Sequence, residues 1–304
     1  MTTPAKTDAP KWIAADWGTS HLRLWPMGDD DRPLRRIDSD LGMSRLTPEA
    51  YEPTLLNLLG DDLPETLPVI ICGMAGSRQG WAEAPYVETP CAVPFEAPQV
   101  ATRDPRLRVH ILPGIKQMRP PDVMRGEETQ IGGFLAKEPG FDGVICLPGT
   151  HNKWVHVSAN EIVSFRTFMT GELFALIGSQ SVLRHSLGDL GWDKAAFAEA
   201  VSDTLSRPAT LTSSLFTLRA DSLLNGTGAD VTRARLSGLL IGAELAAARP
   251  YWLGQDIVIL GEDAVAGAYR DALTAQGAVA RLVPAGDITL AGLTAAYTHL
   301  KDKT

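Results

Sequence analysis

A polar segment that follows an apolar stretch near the N-terminus has residue types that suit phosphate binding. Asp16 is followed by Trp-Gly-Thr-Ser, and a tight turn at Gly18 would let consecutive backbone N–H groups point at an anion. The hydroxyls of Thr19 and Ser20 add donors. The carboxylate of Asp16 suits Mg²⁺, which favours one or two carboxylates together with substrate phosphates. An ordinary hairpin turn capped by an aspartate is the alternative interpretation.

A second segment in the middle of the chain repeats this chemistry. Pro148-Gly-Thr-His-Asn-Lys has the same glycine turn, here at Gly149 and Thr150, and Lys153 adds a cation for a phosphoryl group. His151 is a further ligand candidate, although a single histidine is more often a structural hydrogen-bonding residue. Two glycine turns of this kind predict that phosphates are gripped from two lobes.

A third segment combines a buried strand, a glycine and a helix. The strand is predicted over 257–260, and Gly261 would let the ribose or purine of a nucleotide approach the backbone closely. A plain turn between strand and helix is equally consistent with this pattern.

Buried strands must position these turns. Leu67–Met74 and Gly143–Leu147 are continuous apolar runs rich in β-branched residues, which is typical of parallel strands covered on both faces. Apolar residues recur at helical spacing after Glu127 and in five later segments, which predict helices over 172–183, 194–205, 233–248, 264–275 and 290–300. The alternation of strands and helices predicts an α/β fold.

The glycine turns divide the chain into two predicted lobes. Each turn lies between two predicted strands, and the two units lie about half a chain apart, which predicts two lobes of similar topology. We expect an N-terminal lobe over 1–118, joined by the C-terminal helix 289–304, and a C-terminal lobe over 119–288. The boundary and hinge are expected between Pro113 and Asp122, because IKQMRPPD is rich in proline and lacks apolar periodicity.

Composition excludes several classes of protein. The chain has 304 residues and a formal net charge of −8, which argues against a nucleic-acid partner. No run approaches the ~20 apolar residues of a membrane span, and the N-terminus lacks an apolar signal core, so a cytoplasmic protein without a membrane partner is expected. Cys72 and Cys146 lie in apolar runs and are expected to be buried free thiols.

Taken together, the motifs resemble those of the 2-dehydro-3-deoxygalactonokinase family, within the actin/Hsp70/sugar-kinase superfamily. The resemblance extends from about Ile13 to Ala296. The segments that carry it are DWGTSHLR from Asp16, GMAGS from Gly73 with Gly80–Trp81, APY from Ala84, MRGEETQ from Met124, PGTHNKW from Pro148, FRTFMTGEL from Phe165 and LSGLLIGAE from Leu236. MRGEETQ and PGTHNKW together are highly specific, whereas DxGTS indicates only the superfamily.

The resemblance implies two RNase H-like lobes of the actin/sugar-kinase type with an interlobe cleft. It further implies ATP and Mg²⁺ as cofactors and phosphorylation of the terminal hydroxyl of 2-dehydro-3-deoxy-D-galactonate to the 6-phosphate, in galactonate catabolism. In the adenosine motif, Gly261-Glu262-Asp263 stands where paired glycines are common.

Three carboxylates are candidates for the catalytic base. Related sugar kinases place an acid at the start of the helix that precedes the second phosphate strand, and Glu127 and Glu128 occupy that position. Because successive residues point about 100° apart on a helix, only one of the two is expected to serve. The alternatives are that both merely stabilise the first helical turn, or that Asp16 is the base.

Four residues are candidates for the sugar-acid pocket. Arg125 and Arg45 could each bind the substrate carboxylate, and Ser77 and Trp81 follow a buried strand where α/β ligand sites collect. A surface arginine and a core tryptophan are the respective alternatives. Thr170 either lines the nucleotide site or, as we favour, caps a helix.

Other functions stay open at this point. A kinase for another sugar acid or polyol would use the same motifs. A non-catalytic nucleotide switch is disfavoured, because 304 residues leave no room for a peptide-binding domain or polymer-forming insertions. The partners expected are ATP and a small sugar acid, and a homodimer is one alternative for the oligomeric state.

Overall fold

The computed structural model describes residues 9–188, 191–261 and 264–303. The strands are β1 Trp12–Trp17, β2 Leu22–Met27, β3 Ile37–Ser39, β4 Leu67–Gly73, β5 Tyr86–Glu88, β6 Cys91–Ala92, β7 Gln99–Val100, β8 Leu107–Ile111, β9 Gly114–Met118, β10 Pro121–Met124, β11 Gly143–Leu147, β12 Asn152–Ser158, β13 Glu161–Phe168, β14 Ile257–Leu260 and β15 Ala280–Val283. The helices are α1 Tyr51–Leu59, α2 Glu127–Lys137, α3 Thr170–Gln180, α4 Lys194–Ser206, α5 Leu211–Leu224, α6 Ala229–Ala247, α7 Arg249–Trp252, α8 Ala264–Thr274 and α9 Ala285–Lys301.

The chain forms two compact units. The first contains the residues up to Phe141, Ala159–Val163 and the residues from Ala285 onward, and the second contains Asp142–Ser158 and Ser164–Pro284. In the first unit the main sheet has the order β3-β2-β1-β4-β8-β7, and a small sheet has the order β10-β9-β5. β4 is buried along almost all of its length and lies parallel to both β1 and β8, as its continuous apolar sequence predicts.

The second unit repeats the central topology of the first. Its strands have the order β15-β14-β11-β12-β13, which matches β8-β4-β1-β2-β3. In both units an antiparallel hairpin, β1–β2 or β11–β12, carries the glycine turn. In both, the first strand of that hairpin lies parallel to the next strand, β4 or β14. The prediction of two similar strand–turn–strand units is therefore confirmed at the level of topology.

Helix α2 carries the paired glutamates and packs on helix α9 of the same unit. The backbones of the two helices approach each other closely. A methyl group at Gly133 would lie 2.0 Å from the carbonyl oxygen of Ile288, and one at Gly292 would lie 1.9 Å from that of Thr129. Only glycine therefore allows this spacing. Because Thr129 directly follows the second glutamate, α9 fixes the position of the acidic turn of α2.

The predicted boundary segment is a β-hairpin within the first unit. β9 pairs antiparallel with β10, with Met124 opposite Ile115, and residues 119–141 belong to the first unit rather than to the second. Pro120 lies in the turn and Pro121 is the first residue of β10, both positions at which a hairpin tolerates proline. Proline content alone predicted a linker. The strand buries Ile115 and Gln117 in alternation with more exposed neighbours, but Gln117 is polar, so this alternation does not appear as an apolar pattern in the sequence.

The glycines of helix α6 allow close packing against another helix. A methyl group at Gly238 would lie 2.5 Å from the carbonyl oxygen of Phe197, and one at Gly242 would lie 2.6 Å from that of Val201. Both contacts are with helix α4. Cys72 and Cys146 are buried free thiols, as expected.

Within residues 9–188, 191–261 and 264–303, no helix is both long and apolar enough to cross a membrane.

Substituting alanine for Gly292 is expected to destabilise the protein by about 1–3 kcal/mol through overpacking against the Thr129 carbonyl. The loss would occur although alanine favours a helix over glycine by about 1 kcal/mol. Urea unfolding followed by circular dichroism measures the change. Gly286→Ala is the matched control, because Gly286 lies in the same helix and a methyl group there meets no atom within 4 Å. A Gly292→Ala protein as stable as the control would contradict this account of the α2–α9 contact.

Candidate functional site

The first glycine turn is held from behind by a neighbouring backbone segment. The N–H of Met43 donates to the carbonyl of Gly18 at 3.0 Å, and the N–H of Ser44 donates to that of Thr19 at 2.9 Å. This approach requires Gly42, where a methyl group would lie 2.4 Å from the carbonyl oxygen of Thr19. The carbonyls of the turn therefore face the protein.

The orientation of these carbonyls fixes the direction of the next N–H groups. In a trans peptide the C=O and the following N–H point in opposite directions, so the N–H groups of Thr19 and Ser20 point away from the supporting segment. Thr19 and Ser20 are exposed. The N–H of Gly18 does not join them, because it closes the turn by donating to the carbonyl of His21 at 2.9 Å. The turn thus presents two donors, those of Thr19 and Ser20, and Gly18 does not add a third.

Asp16 lies at the end of β1, beside this turn. One of its oxygens lies 2.7 Å from the guanidinium of Arg23, and its side chain is 14% exposed. Burial raises the pKa of Asp16, the Arg23 guanidinium opposes that shift, and the charge of Glu127 adds to it. Asp16 and Glu127 therefore interact electrostatically, as is expected of two acids at one site in this unit.

The two glutamates of α2 differ sharply in environment. Glu128 is 1% exposed, and its two oxygens lie 2.8 and 2.7 Å from the N–H of Gly126, which has a φ of 104° that favours glycine. Burial raises the pKa of Glu128 to about 7, and the charge of Glu127 contributes to the shift. Glu127 is only partly buried and accepts the N–H of Arg125 at 3.1 Å.

The same backbone arrangement brings the acids beside the first turn. A methyl group at Gly126 would lie 3.3 Å from the Cα of Gly73, and one at Gly73 would lie 2.7 Å from the carbonyl oxygen of Trp17. The ends of β1 and β4 and the start of α2 are thus stacked backbone on backbone. This stacking explains why a glycine precedes the acidic turn.

The two candidate arginines for a substrate carboxylate are not equivalent. Arg125 is 9% exposed, donates to the carbonyl of Ala84 at 2.8 Å and lies over the ring of Tyr86 at 4.2 Å. Its guanidinium is therefore engaged with the protein itself. Arg45 keeps an exposed side chain and forms a surface ion pair with Asp40.

Ser77 and Trp81, the other two candidates for the sugar-acid pocket, each contact other side chains of the first unit. The hydroxyl of Ser77 is 3.1 Å from the sulfur of Met43, in the segment that supports the first turn. Trp81 stacks on Tyr51 with ring centroids 5.9 Å apart and meets Trp17 edge-on at 6.2 Å. Trp81 is therefore part of an aromatic cluster and is only partly exposed.

The second glycine turn, in the second unit, is supported in the same manner. The N–H of Glu172 donates to the carbonyl of Thr150 at 2.9 Å, so the N–H of His151 points away from its support. A methyl group at Gly171 would lie 2.1 Å from the carbonyl oxygen of Gly149. The N–H of Gly149 itself donates to the side chain of Asn152 at 2.7 Å and, like that of Gly18, closes its turn.

The charged side chains at the second turn bind to the turn itself or to helix α3, which supports it. The Nε2 of His151 lies 2.5 Å from a carboxylate oxygen of Glu172. The ammonium of Lys153 donates to the carbonyl of His151 at 3.2 Å, and Lys153 is 4% exposed. A buried ammonium at this point stabilises the turn and keeps a positive charge beside it.

A cavity of about 870 Å³ opens beside the second turn, within the second unit. Pro148, Gly149, Thr170 and Gly171 contribute to its wall. The rest of the lining is largely apolar and includes Phe174, Trp192, Phe197, Val201, Leu240, Ile241, Val265 and Ala268, with Lys194 and Arg233 as cations. An apolar cavity with a few polar groups at one side is the usual form of a small-molecule site.

The third predicted segment reaches this cavity through its helix rather than its glycine. Ala264, Val265, Gly267 and Ala268, at the start of α8, line the cavity. Gly261 directly follows β14 and donates its N–H to the carbonyl of Val283 at 2.9 Å, and it is not among the lining residues. Glu262 and Asp263 lie outside the described residues.

Sequence reasoning missed two members of this site and misassigned a third. Asn152 and Glu244 hold the second turn from inside, and a single glutamate in the apolar stretch LSGLLIGAE was the signal that could have identified the latter. Thr170 does not cap α3. The residue before it, Met169, occupies the cap position without a side-chain hydrogen bond, and the Thr170 hydroxyl is bound by the carboxylate of Glu244 instead.

Comparisons with known proteins agree with this geometry. A family model described as 2-keto-3-deoxy-galactonokinase matches residues 16–296. A protein of Rhizobium meliloti (strain 1021), named "Probable 2-dehydro-3-deoxygalactonokinase DgoK1", is 43% identical over 299 residues, which cover 95% of this chain and 97% of that protein. The 2-dehydro-3-deoxygalactonokinase of Escherichia coli (strain K12) is 34% identical over 270 residues, 88% of this chain and 90% of that protein.

Solved structures confirm the fold. A crystal structure assigned as a 2-dehydro-3-deoxygalactonokinase from Sinorhizobium meliloti superposes with a TM-score of 0.88 at 42% identity, and the match covers 95% of this chain and 99% of that one. The activator of 2-hydroxyisocaproyl-CoA dehydratase from Clostridium difficile, with bound ADPNP, gives a TM-score of 0.52 at 10% identity over 96% of each chain, which shows the fold alone. The predicted α/β fold is confirmed, with a six-stranded mixed sheet as the largest sheet of each unit.

These comparisons match most of the chain and include two relatives above 30% identity. They agree with the structure, in which each unit has a supported glycine turn and α2 has an acidic start. The chain belongs to the 2-keto-3-deoxy-galactonokinase family.

Proposed function

We propose that this protein is a kinase that transfers the γ-phosphoryl group of ATP to the terminal hydroxyl of 2-dehydro-3-deoxygalactonate. The observation that carries the proposal is the second glycine turn, with an N–H directed outward, at the wall of an apolar cavity of about 870 Å³. Membership of the family supports the choice of substrate.

The second unit binds the nucleotide in this proposal. Its cavity has the volume and apolar lining of a site for a drug-sized ligand. Arg233 and Lys194 add positive charge to the wall. The adenosine occupies the apolar part, and the phosphates accept hydrogen bonds at residues 149–151, where His151 directs its N–H outward.

Asp16 is the residue that would hold Mg²⁺. It is a largely buried carboxylate with one oxygen on Arg23, and the described residues contain no group of three or more metal-ligating side chains. A single carboxylate fits Mg²⁺ when substrate phosphates supply further ligands, as this ion prefers. When bound, the ion would neutralise charge on the phosphates.

The first unit supplies the base. We assign this role to Glu127, because it is the acid of α2 that keeps solvent contact, whereas both oxygens of Glu128 face the N–H of Gly126. The Glu127 carboxylate accepts the proton of the terminal hydroxyl as the substrate oxygen bonds to the γ-phosphorus. The bond from that phosphorus to the bridging oxygen breaks, and ADP leaves. Of the two arginines predicted for the sugar-acid carboxylate, we favour Arg45, because its side chain is exposed whereas that of Arg125 is buried.

Purified full-length protein is expected to release ADP when ATP-Mg and 2-dehydro-3-deoxygalactonate are both present. A coupled ADP assay measures the rate, and ³¹P NMR of the product places the phosphate on the terminal oxygen. The panel includes the C4-epimeric sugar acid, a neutral polyol and a reaction without acceptor. If no compound raises the ADP level above that of the acceptor-free reaction, the kinase proposal is rejected. If another acceptor is preferred, only the substrate assignment changes.

Glu127→Gln is expected to lower kcat by about 10²–10⁴-fold, because the variant cannot accept the hydroxyl proton. Its affinity for ATP, measured by calorimetry, should stay within about twofold of the native value, since the residue lies outside the nucleotide unit. Glu128→Gln is the matched control and keeps an oxygen acceptor for the N–H of Gly126. Loss of turnover in Glu128→Gln with full turnover in Glu127→Gln would transfer the role of base to Glu128.

The stability of the protein should depend on pH through Glu128. Its folded-state pKa, about 7, lies above the ordinary value of 4.5, so the folded state binds this proton more tightly than the unfolded chain. The resulting stabilisation is complete below about pH 4.5 and is lost as the pH rises to about 7. Native protein should therefore lose up to about 3 kcal/mol relative to Glu128→Gln across this interval. Urea unfolding at half-unit steps of pH tests this, and a difference that does not vary with pH would contradict it.

A further inference from the structure

A carboxylate in the second unit is buried among uncharged donors. Glu244, on α6, is 3% exposed. The indole N–H of Trp154 donates to its Oε1 at 2.7 Å, while the amide of Asn152 and the hydroxyl of Tyr269 donate to its Oε2 at 2.8 and 2.6 Å. Thr170 also donates to Oε2. Burying a carboxylate is costly unless such bonds are made, so the fold maintains this group at a specific place.

Asn152 connects the carboxylate to the second turn. A carboxylate only accepts hydrogen bonds, so the NH₂ of Asn152 must face Glu244, and its Oδ1 is left to accept the N–H of Gly149 at 2.7 Å. If the Asn152 amide turned over, its NH₂ would meet the N–H of Gly149, donor against donor. Glu244 therefore sets the orientation in which Asn152 closes the turn.

Thr170 forms a second connection to the same turn. Its hydroxyl is bound to Glu244 at the first residue of α3. The next two residues hold the turn directly, because Gly171 packs on the carbonyl of Gly149 and Glu172 donates its N–H to the carbonyl of Thr150. One carboxylate thus fixes both elements that support residues 149–151.

We infer that Glu244 is a positioning residue for the phosphates of ATP, acting through Asn152 and Thr170 on the turn at residues 149–151. The inference rests on the proposed function for the identity of the ligand. In this account Glu244 does not contact the nucleotide. It sets the direction of the N–H groups that bind the phosphates.

Glu244→Gln gives a specific conflict. Trp154 and Asn152 present donors to different oxygens of Glu244, whereas an amide offers only one oxygen, so one of the two donors must face the NH₂ of the new side chain. The variant is expected to weaken ATP binding by about tenfold and to leave adenosine binding within about twofold. Calorimetry with ATP and with adenosine measures the two affinities, and an unchanged ATP affinity would overturn the inference.

Adding Trp154→Phe to Glu244→Gln should resolve the conflict at the turn. Without the indole N–H, the glutamine can direct its oxygen to Asn152 and its NH₂ towards the phenyl ring. The double variant is therefore expected to bind ATP at least threefold more tightly than Glu244→Gln alone, by an order-of-magnitude estimate of about one restored hydrogen bond, without any gain in Tm. A purely structural role for Glu244 would give a double variant that is worse than Glu244→Gln in both measurements.

Leu245→Ala is the matched control, since Leu245 is the fully buried neighbour on α6 and forms no bond to the carboxylate. It should lower Tm and leave the ratio of ATP to adenosine affinity unchanged. Thr170→Val removes one connection alone and serves if Glu244→Gln does not fold. A control that changes the affinity ratio as much as Glu244→Gln would overturn the inference.

Hydrogen exchange of residues 148–153 in the ligand-free protein separates this inference from the proposed function. Faster exchange at the Gly149 amide in Glu244→Gln or Thr170→Val than in Leu245→Ala supports positioning of the turn, even if the native protein binds no ATP. Native exchange rates in both variants would overturn the positioning role, whatever the enzyme assays show.

Discussion

The direction of a few peptide planes is the constraint on which the proposed chemistry depends. In each glycine turn the carbonyl oxygens are bound from behind by N–H groups of a second segment, Met43–Ser44 in one unit and Glu172 in the other. Because C=O and the following N–H oppose each other across a trans peptide, this support directs N–H groups outward. A phosphate binds to such groups without any further side chain.

This form of support explains why each turn depends on a glycine from elsewhere in its own unit. Gly42 lies against the carbonyl of Thr19, and Gly171 lies against that of Gly149, both at distances that a side chain would not allow. The two units share a strand order and a parallel partner for the strand that precedes each turn. Duplication of the topology therefore extends to the way in which the turns are supported.

The sequence predicted what depends on local pattern and missed what depends on contacts between distant residues. The glycine turns, the buried strands and the acidic start of α2 were all identifiable from residue type and spacing. The support of the first turn by Gly42, or of the second by Glu244, joins positions far apart in the chain, and no periodicity reports it. The prediction for the segment around Pro120 failed for another reason: its first strand buries the polar Gln117 beside Ile115, so no apolar alternation marked the hairpin. Thr170 was misassigned because a threonine at a helix start is more often a cap than a donor to a buried acid.

Three acids of the two units are largely buried and bound to donors of the protein, whereas a fourth, Glu127, is only partly buried. Burial raises the pKa of Asp16, Glu128 and Glu244, and each is satisfied differently: by the Arg23 guanidinium, by the N–H of Gly126 and by four uncharged side chains. A carboxylate whose oxygens are committed to backbone or side-chain donors must break those bonds before it can accept a proton from a substrate. Glu127 keeps solvent contact beside two such acids and raises the pKa of both. Glu127 accepts the N–H of Arg125 but is only partly buried. This exposure is the physical reason for proposing it, rather than Glu128, as the base.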